Sequence, residues 1–300
     1  MRFWCFLILL GACSAPHYPS SAEGDCTPME EVGVPELMRV TADIWTGGQP
    51  QGLVGLKALK ELGVRTLINV DGAHPDAEGA KSLGMRYVHI PMDYAEVEVV
   101  SLLSIFRVVS ELEGPFYFHC HHGKHRGPVA AALAWRILDG VSADRALQVL
   151  HLAGTSSSYP GLWKAVNEWT PLPSTVALPP LYSKAEVSDF KANMAAIDRT
   201  WDRLKLLQQA DWSAVLDHPD LDVATEVAIF TQNFESALGM AKDSQEYQAE
   251  RRLLDYLDDV VTQSKELRQY LLEGNLQAAD STLTSIKQSC KECHRVYRNE

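Results

Sequence analysis

Positive charge is scarce in this chain: 27 lysines and arginines face 39 acidic residues over 300 positions, a net charge of −12. That balance lacks the basic footprint of a nucleic-acid binder, so nucleic acid is not expected as a partner, and neither is docking on anionic lipid by basic patches. Long apolar runs are missing too. The run 3–10 that follows Met1-Arg2 is too brief to span a bilayer and has the form of a secretory leader. No internal repeat and no long low-complexity segment is present, which argues against repeat arrays and extended disordered tails. The 46% hydrophobic content is enough for two domains with ordinary cores.

Residues 119–127 read His119-Cys120-His121-His122-Gly123-Lys124-His125-Arg126-Gly127, directly after the apolar run Pro115-Phe116-Tyr117-Phe118. The run predicts an interior strand, and Pro128 through Trp135 predicts a helix with proline in its first turn. A loop between the two, at a helix start, turns backbone N–H groups towards an oxyanion and favours thiolate over thiol. An arginine placed there clamps two phosphoryl oxygens in a planar fork. The chemistry that follows is nucleophilic: Cys120 attacks phosphorus, and the resulting thiophosphate is hydrolysed.

With His119, Gly123 and Gly127 in place, the loop resembles the His-Cys-x2-Gly-x2-Arg signature of the cysteine-dependent tyrosine and dual-specificity phosphatases. The segments Ile44-Trp45-Thr46-Gly47-Gly48-Gln49-Pro50, Gly63 to Val70 and Tyr87-Val88-His89-Ile90-Pro91 agree with the same family, above all with its atypical plant and fungal branch. The resemblance implies an α/β domain over about residues 36–170, a central sheet flanked by helices. It makes Cys120 the nucleophile and Arg126 the phosphate clamp. The aspartate that protonates the leaving oxygen is expected at Asp93, with Glu96 and Glu98 as alternatives. Gly127 departs from the pattern: the family usually has Ser or Thr there, whose hydroxyl helps the thiolate leave, so turnover of the phosphoenzyme is expected to suffer.

Four histidines in one tight loop invite a metal, but at that spacing they point in different directions, and no matching carboxylate motif stands nearby in the sequence. No metal is therefore expected in the phosphatase-like domain. His121, His122, Gly123, Lys124 and His125 are instead expected to line an anion pocket for a phosphorylated substrate, whose type the sequence does not choose.

Near the other end, Cys290-Lys291-Glu292-Cys293-His294 is a Cys-x-x-Cys-His haem attachment pattern: two thiols add to the vinyl groups and the imidazole takes the iron. A zinc knuckle would need a second ligand pair, which the preceding hundred residues and the tail lack. A redox dithiol normally opens a helix after a strand, whereas this pair sits late in a helical pattern. Residues 184–298 read as four amphipathic helices, with stripes such as Val187, Phe190, Met194, Ile197, Trp201, Leu204. The segment resembles the class II cytochromes c, which implies an all-α four-helix bundle over 183–300 with covalent haem c on Cys290 and Cys293 and His294 on the iron. In the six-coordinate members a methionine early in the first helix supplies the second ligand. Met194 occupies that place; otherwise it is core packing, and the open iron takes a small gas. A redox partner or such a gas is the expected partner at haem.

Leu10-Gly11-Ala12-Cys13 resembles a bacterial lipobox, with 1–12 as the lipoprotein signal and Cys13 as the lipidated first residue. Cleavage near Ala12 or Ala15 by ordinary signal peptidase is the alternative. Both place the domains outside the cytoplasm, on the periplasmic side of a bacterial envelope, the first of them lipid-anchored to the membrane. Residues 13–35 are expected to be a flexible tether, and the proline-rich stretch 171–182 a semi-rigid linker. Two functions remain open: an extracytoplasmic phosphatase carrying a haem domain, or a cytochrome whose phosphatase-like domain only binds phosphate.

Overall fold

The protein is described by a computed structural model over residues 26–173, 176–215, 218 and 221–298. The expected leader and Cys13 lie outside the described residues. The first half runs β1 (Thr27–Pro28), β2 (Met38–Arg39), β3 (Ile44–Gly47), α1 (Gly52–Glu61), β4 (Thr66–Asn69), α2 (Ala77–Ser82), β5 (Arg86–His89), α3 (Val99–Glu111), β6 (Phe116–His119), α4 (Arg126–Asp139), α5 (Ala143–Leu152) and α6 (Pro160–Glu168). The strands form one mixed sheet in the order β1-β2-β3-β6-β4-β5, parallel from β3 to β5 and antiparallel at the β1-β2-β3 edge.

Alternation along the strands divides the core in two. Ile44, Ile68, Val88, Phe116 and Phe118 pack with α3, α4, α5 and α6 on one face, while Trp45, Leu67, Tyr87 and Tyr117 pack with α1 and α2 on the other. Every residue of β6 is buried, as helices on both faces of a parallel sheet require. Burial of one side chain such as Phe118 is worth about 1.5–3 kcal/mol, and α4, buried from Arg126 to Trp135, is the helix most enclosed by this core. The C-terminal ends of the parallel strands fall in one row, because Gly47 and Asn69 both register with His119, and His89 with Asn69. Loops leaving such a row are where open α/β sheets hold ligands.

One expectation about a connecting segment needs correction. The tether is shorter than 13–35, because the chain is already folded at β1: Met29 N–H donates to Leu37 O at 2.8 Å, and Val34 is buried. The proline-rich stretch is held against the sheet domain near its end. Pro179 O accepts from Arg107 at 2.8 Å, Tyr182 O accepts from His89 N–H at 2.8 Å, and Leu181 packs on the core. Prolines have no N–H to satisfy but keep their carbonyls, so such a stretch can lie along a sheet as an acceptor.

The second half holds four long helices, α7 (Asp189–Gln209), α8 (Val223–Asp243), α9 (Arg251–Leu272) and α10 (Leu276–Tyr297). Ser188 caps α7 by accepting from Lys191 N–H, which leaves Val187 of the predicted stripe just outside the helix. Each helix packs on the next, and a separate core including Ile197, Leu204, Phe230, Leu257, Leu283 and Ile286 lies among them. No helix among the described residues is long and apolar enough to cross a membrane.

Candidate active site

Cys120 follows β6 and Arg126 opens α4, so the loop between them is fixed at both ends by the most buried elements of the sheet domain. Cys120 is 2% and Arg126 7% exposed. From residue 121 to 125 no backbone N–H finds an acceptor among the described residues, although the loop's carbonyls are used: His121 O accepts from Gln49 N–H at 2.9 Å and Lys124 O from Thr155 Oγ1 at 2.7 Å. Of these five residues only Gly123 is buried, so the free N–H groups are open to water or to a bound anion. Gly123 explains its own presence, with φ of +74° and an added Cβ that would overlap the Gly47-Gly48 backbone. At Gly127 a Cβ would come within 3.1 Å of Cys120 N and His119 Cα. The hydroxyl that the family pattern has there thus cannot be added to this loop without shifting the Cys120 peptide.

Below the loop, His119 takes a hydrogen bond from or gives one to Tyr87 Oη and sits 3.3 Å from Cys120 O. Burial pushes its pKa down to about 4, so it is a neutral bracing residue. Arg126 donates through Nη1 to Met92 O and through Nη2 to Asp71 Oδ1, both at 3.2 Å, while its buried Nε has no partner among the described residues. Asp71, two residues beyond β4, was not singled out by the sequence. Burial alone would raise its pKa, but Arg126 and Arg199 outweigh that and hold it well below the usual carboxylate range. Arg199 comes from α7; its Nη2 lies 3.4 Å from Asp71 Oδ2 and 2.6 Å from Gln49 Oε1. The helical half therefore reaches into the sheet domain's site.

Asp93 is half-buried, and its Oδ2 accepts from Lys191 Nζ of α7 at 2.9 Å. The residues expected to line an anion pocket are dispersed. His121 and His122 both point Nε2 at Asp202 Oδ2 on α7, at 2.9 and 3.0 Å. Lys124 pairs with Glu36 at 3.0 Å, and His125 packs against the rings of Tyr94 and Tyr159. None of these four side chains faces the cavity that Asp71, Arg126 and Asp93 line.

That cavity measures about 1270 Å³ and continues between the two halves. Its far wall carries Cys290, Cys293, His294 and Met194 beside Phe190, Phe230, Tyr247 and Leu257. Burial raises the Cys290 thiol to about 12 and the Cys293 thiol to about 11. Arg298 extends from the end of α10 to set its guanidinium carbon 3.9 Å from the centre of the Tyr94 ring, which also carries Arg126 at 4.2 Å. Cys26, half-buried, packs on the sheet domain's core.

No family model matches the chain. No curated protein matches it. Among solved structures it is similar to TpbA of P. aeruginosa, at 20% identity over 49% of this chain and 91% of that one, TM-score 0.41. A putative phosphatase (DUF442) from Shewanella putrefaciens CN-32 aligns at 22% identity over 47% of this chain and 96% of that one, TM-score 0.39. The core catalytic domain of the PP-IP phosphatase SIW14 from S. cerevisiae, solved with citrate, aligns at 16% identity over 45% of this chain and 86% of that one, TM-score 0.38. These are phosphatase-type domains, and the likeness extends over about half of this chain.

Proposed function

We propose that the sheet domain is a cysteine-dependent phosphomonoester hydrolase and that the helical half carries covalent haem c, the two being displayed outside the cytoplasm on a lipid anchor at Cys13. The observation that carries the first part is the loop 121–125, whose N–H groups have no acceptor among the described residues, set between a buried Cys120 and an Arg126 whose Nε has no partner among them either. Donors so arranged match the equatorial oxygens of a phosphoryl group, and they are strongest where water is excluded. Cys120 Sγ attacks phosphorus, the ester oxygen leaves with a proton from Asp93, and water then releases phosphate from sulfur. Lys191 must first release Asp93 for that role. Acid quenching shortly after mixing with labelled p-nitrophenyl phosphate should leave label on Cys120, and Asp93→Asn should slow labelling most for esters with poor leaving groups. Absence of a labelled protein, with turnover proceeding, would exclude the covalent route.

A haem in the second half is supported by one wall of the shared cavity, which combines two thiols, an imidazole and a thioether with aromatic surface. Cys290 and Cys293 would hold the macrocycle by thioether bonds, with His294 and Met194 as candidates for the iron; bound haem supplies one-electron redox chemistry or a site for a gas. Haem should stay with the chain after denaturing electrophoresis and be lost from the Cys290→Ser/Cys293→Ser variant, while Met194→Ala should turn a low-spin spectrum high-spin. A wild type already high-spin would make Met194 core packing.

A second reading is favoured by Gly127 and by the hold of Lys191 on Asp93. In it the sheet domain binds phosphate with little turnover, and the protein acts as an electron-transfer or gas-binding cytochrome. A labelled Cys120 that hydrolyses no faster than it would in denaturant would decide for this reading.

A further inference from the structure

The carboxylates that the sequence around the loop lacks arrive from α7. Asp198 and Asp202 are one turn apart, so they share a face of that helix, and this face meets His121 and His122 some 80 residues away. One ligand atom from each of His121, His122 and Asp198 lies within 4.8 Å of the other two. Asp202 has a different position. Its Oδ1 is taken by Lys205 at 2.6 Å, and its Oδ2 accepts from both imidazoles at 2.9 and 3.0 Å. A carboxylate receiving the Nε2–H of a histidine fixes the tautomer in which Nδ1 carries the lone pair, which is the usual outer partner of a metal-bound imidazole.

The Nδ1 atoms fit that assignment. His121 Nδ1 is buried and has no hydrogen-bond partner among the described residues, and His122 Nδ1 lies 3.8 Å from Asp198 Oδ2. Bonds of about 2.0–2.1 Å set tetrahedral ligands roughly 3.4 Å apart, so that 3.8 Å pair needs to close by only a few tenths of an ångström. His122 and Asp198 are 39% and 35% exposed along their side chains, which leaves an entry route and room for water as a fourth ligand.

We propose that His121, His122 and Asp198 form a binding site for a divalent first-row transition ion, oriented by Asp202, which ties α7 to the Cys120–Arg126 loop. The competing arrangement on the same atoms is a proton on His122 held between two aspartates. Zinc decides between them. The full chain is dialysed against chelator and titrated with zinc chloride by calorimetry, and the bound metal is read by X-ray absorption. One equivalent should bind, with a first shell of nitrogen and oxygen at about 2.0–2.1 Å. Asp198→Asn and His122→Ala, on separate elements, should each weaken binding by more than 100-fold. Asp202→Asn should weaken it by roughly 10–100-fold. No zinc uptake, undiminished uptake in both Asp198→Asn and His122→Ala, or a sulfur shell at about 2.3 Å that places the metal on Cys290 and Cys293, would each overturn the site.

Discussion

Cys120→Ser is expected to reduce p-nitrophenyl phosphate turnover by at least roughly 10³-fold, about 4 kcal/mol of transition-state stabilisation, while inorganic phosphate still binds. The split follows from where the two tasks are placed. Under the proposed mechanism attack falls to one sulfur and binding to the N–H groups of 121–125 and the Arg126 guanidinium, none of which the substitution touches. Serine is nearly isosteric, and with Cys120 only 2% exposed the change adds no bulk to a packed position. Phosphate affinity measured by calorimetry should stay within a few-fold of wild type. Turnover persisting in this variant would move the nucleophile elsewhere, and loss of binding together with turnover would mean that the loop itself had collapsed.

Asp71→Asn is expected to destabilise the sheet domain by about 3 kcal/mol, which at this size lowers the melting temperature by roughly 6–12 °C. The side chain is 5% exposed and faces Arg126, itself 9% exposed, at 3.2 Å. Asparagine keeps an acceptor oxygen but leaves that guanidinium buried with no opposite charge beside it, and Arg199 loses the same partner. The pH dependence gives an independent check. The folded pKa of Asp71 is held below its unfolded value, so its contribution is complete above about pH 4 and is lost as pH falls towards the depressed value. The stability gap between wild type and Asp71→Asn should therefore narrow on acidification below about pH 4. A gap that stays constant there would show that no ionised pair supports Arg126.

The elements that carry chemistry were legible because each is local. A fully apolar strand, a loop rich in hydrogen-bonding residues and a proline-started helix are contiguous in 115–135, and the four helices announce themselves by three- and four-residue stripes. Asp71 was not legible in the same way: 55 positions from Arg126, it is one acid among 39. The register of Asn69 with His119 is what brings the residues after β4 beside those after β6. The rule that sites gather at the carboxyl ends of parallel strands would have flagged it once Thr66–Asn69 was taken as a strand. The fates of His121, His122 and Asp93 were hidden for a stronger reason. Their partners, Asp202 and Lys191, belong to α7 of the other half, and no periodicity within one segment reports which face of a distant helix will meet it.

The linker along β5 has a consequence for how this chain behaves in company. β5 ends the sheet, and an uncovered terminal strand offers a row of amide groups to which a second chain can add. Here the Tyr182 carbonyl already occupies the His89 amide. The stretch that joins the two halves thus takes up the last outward amide of this edge strand, so an incoming chain could pair with it only short of His89.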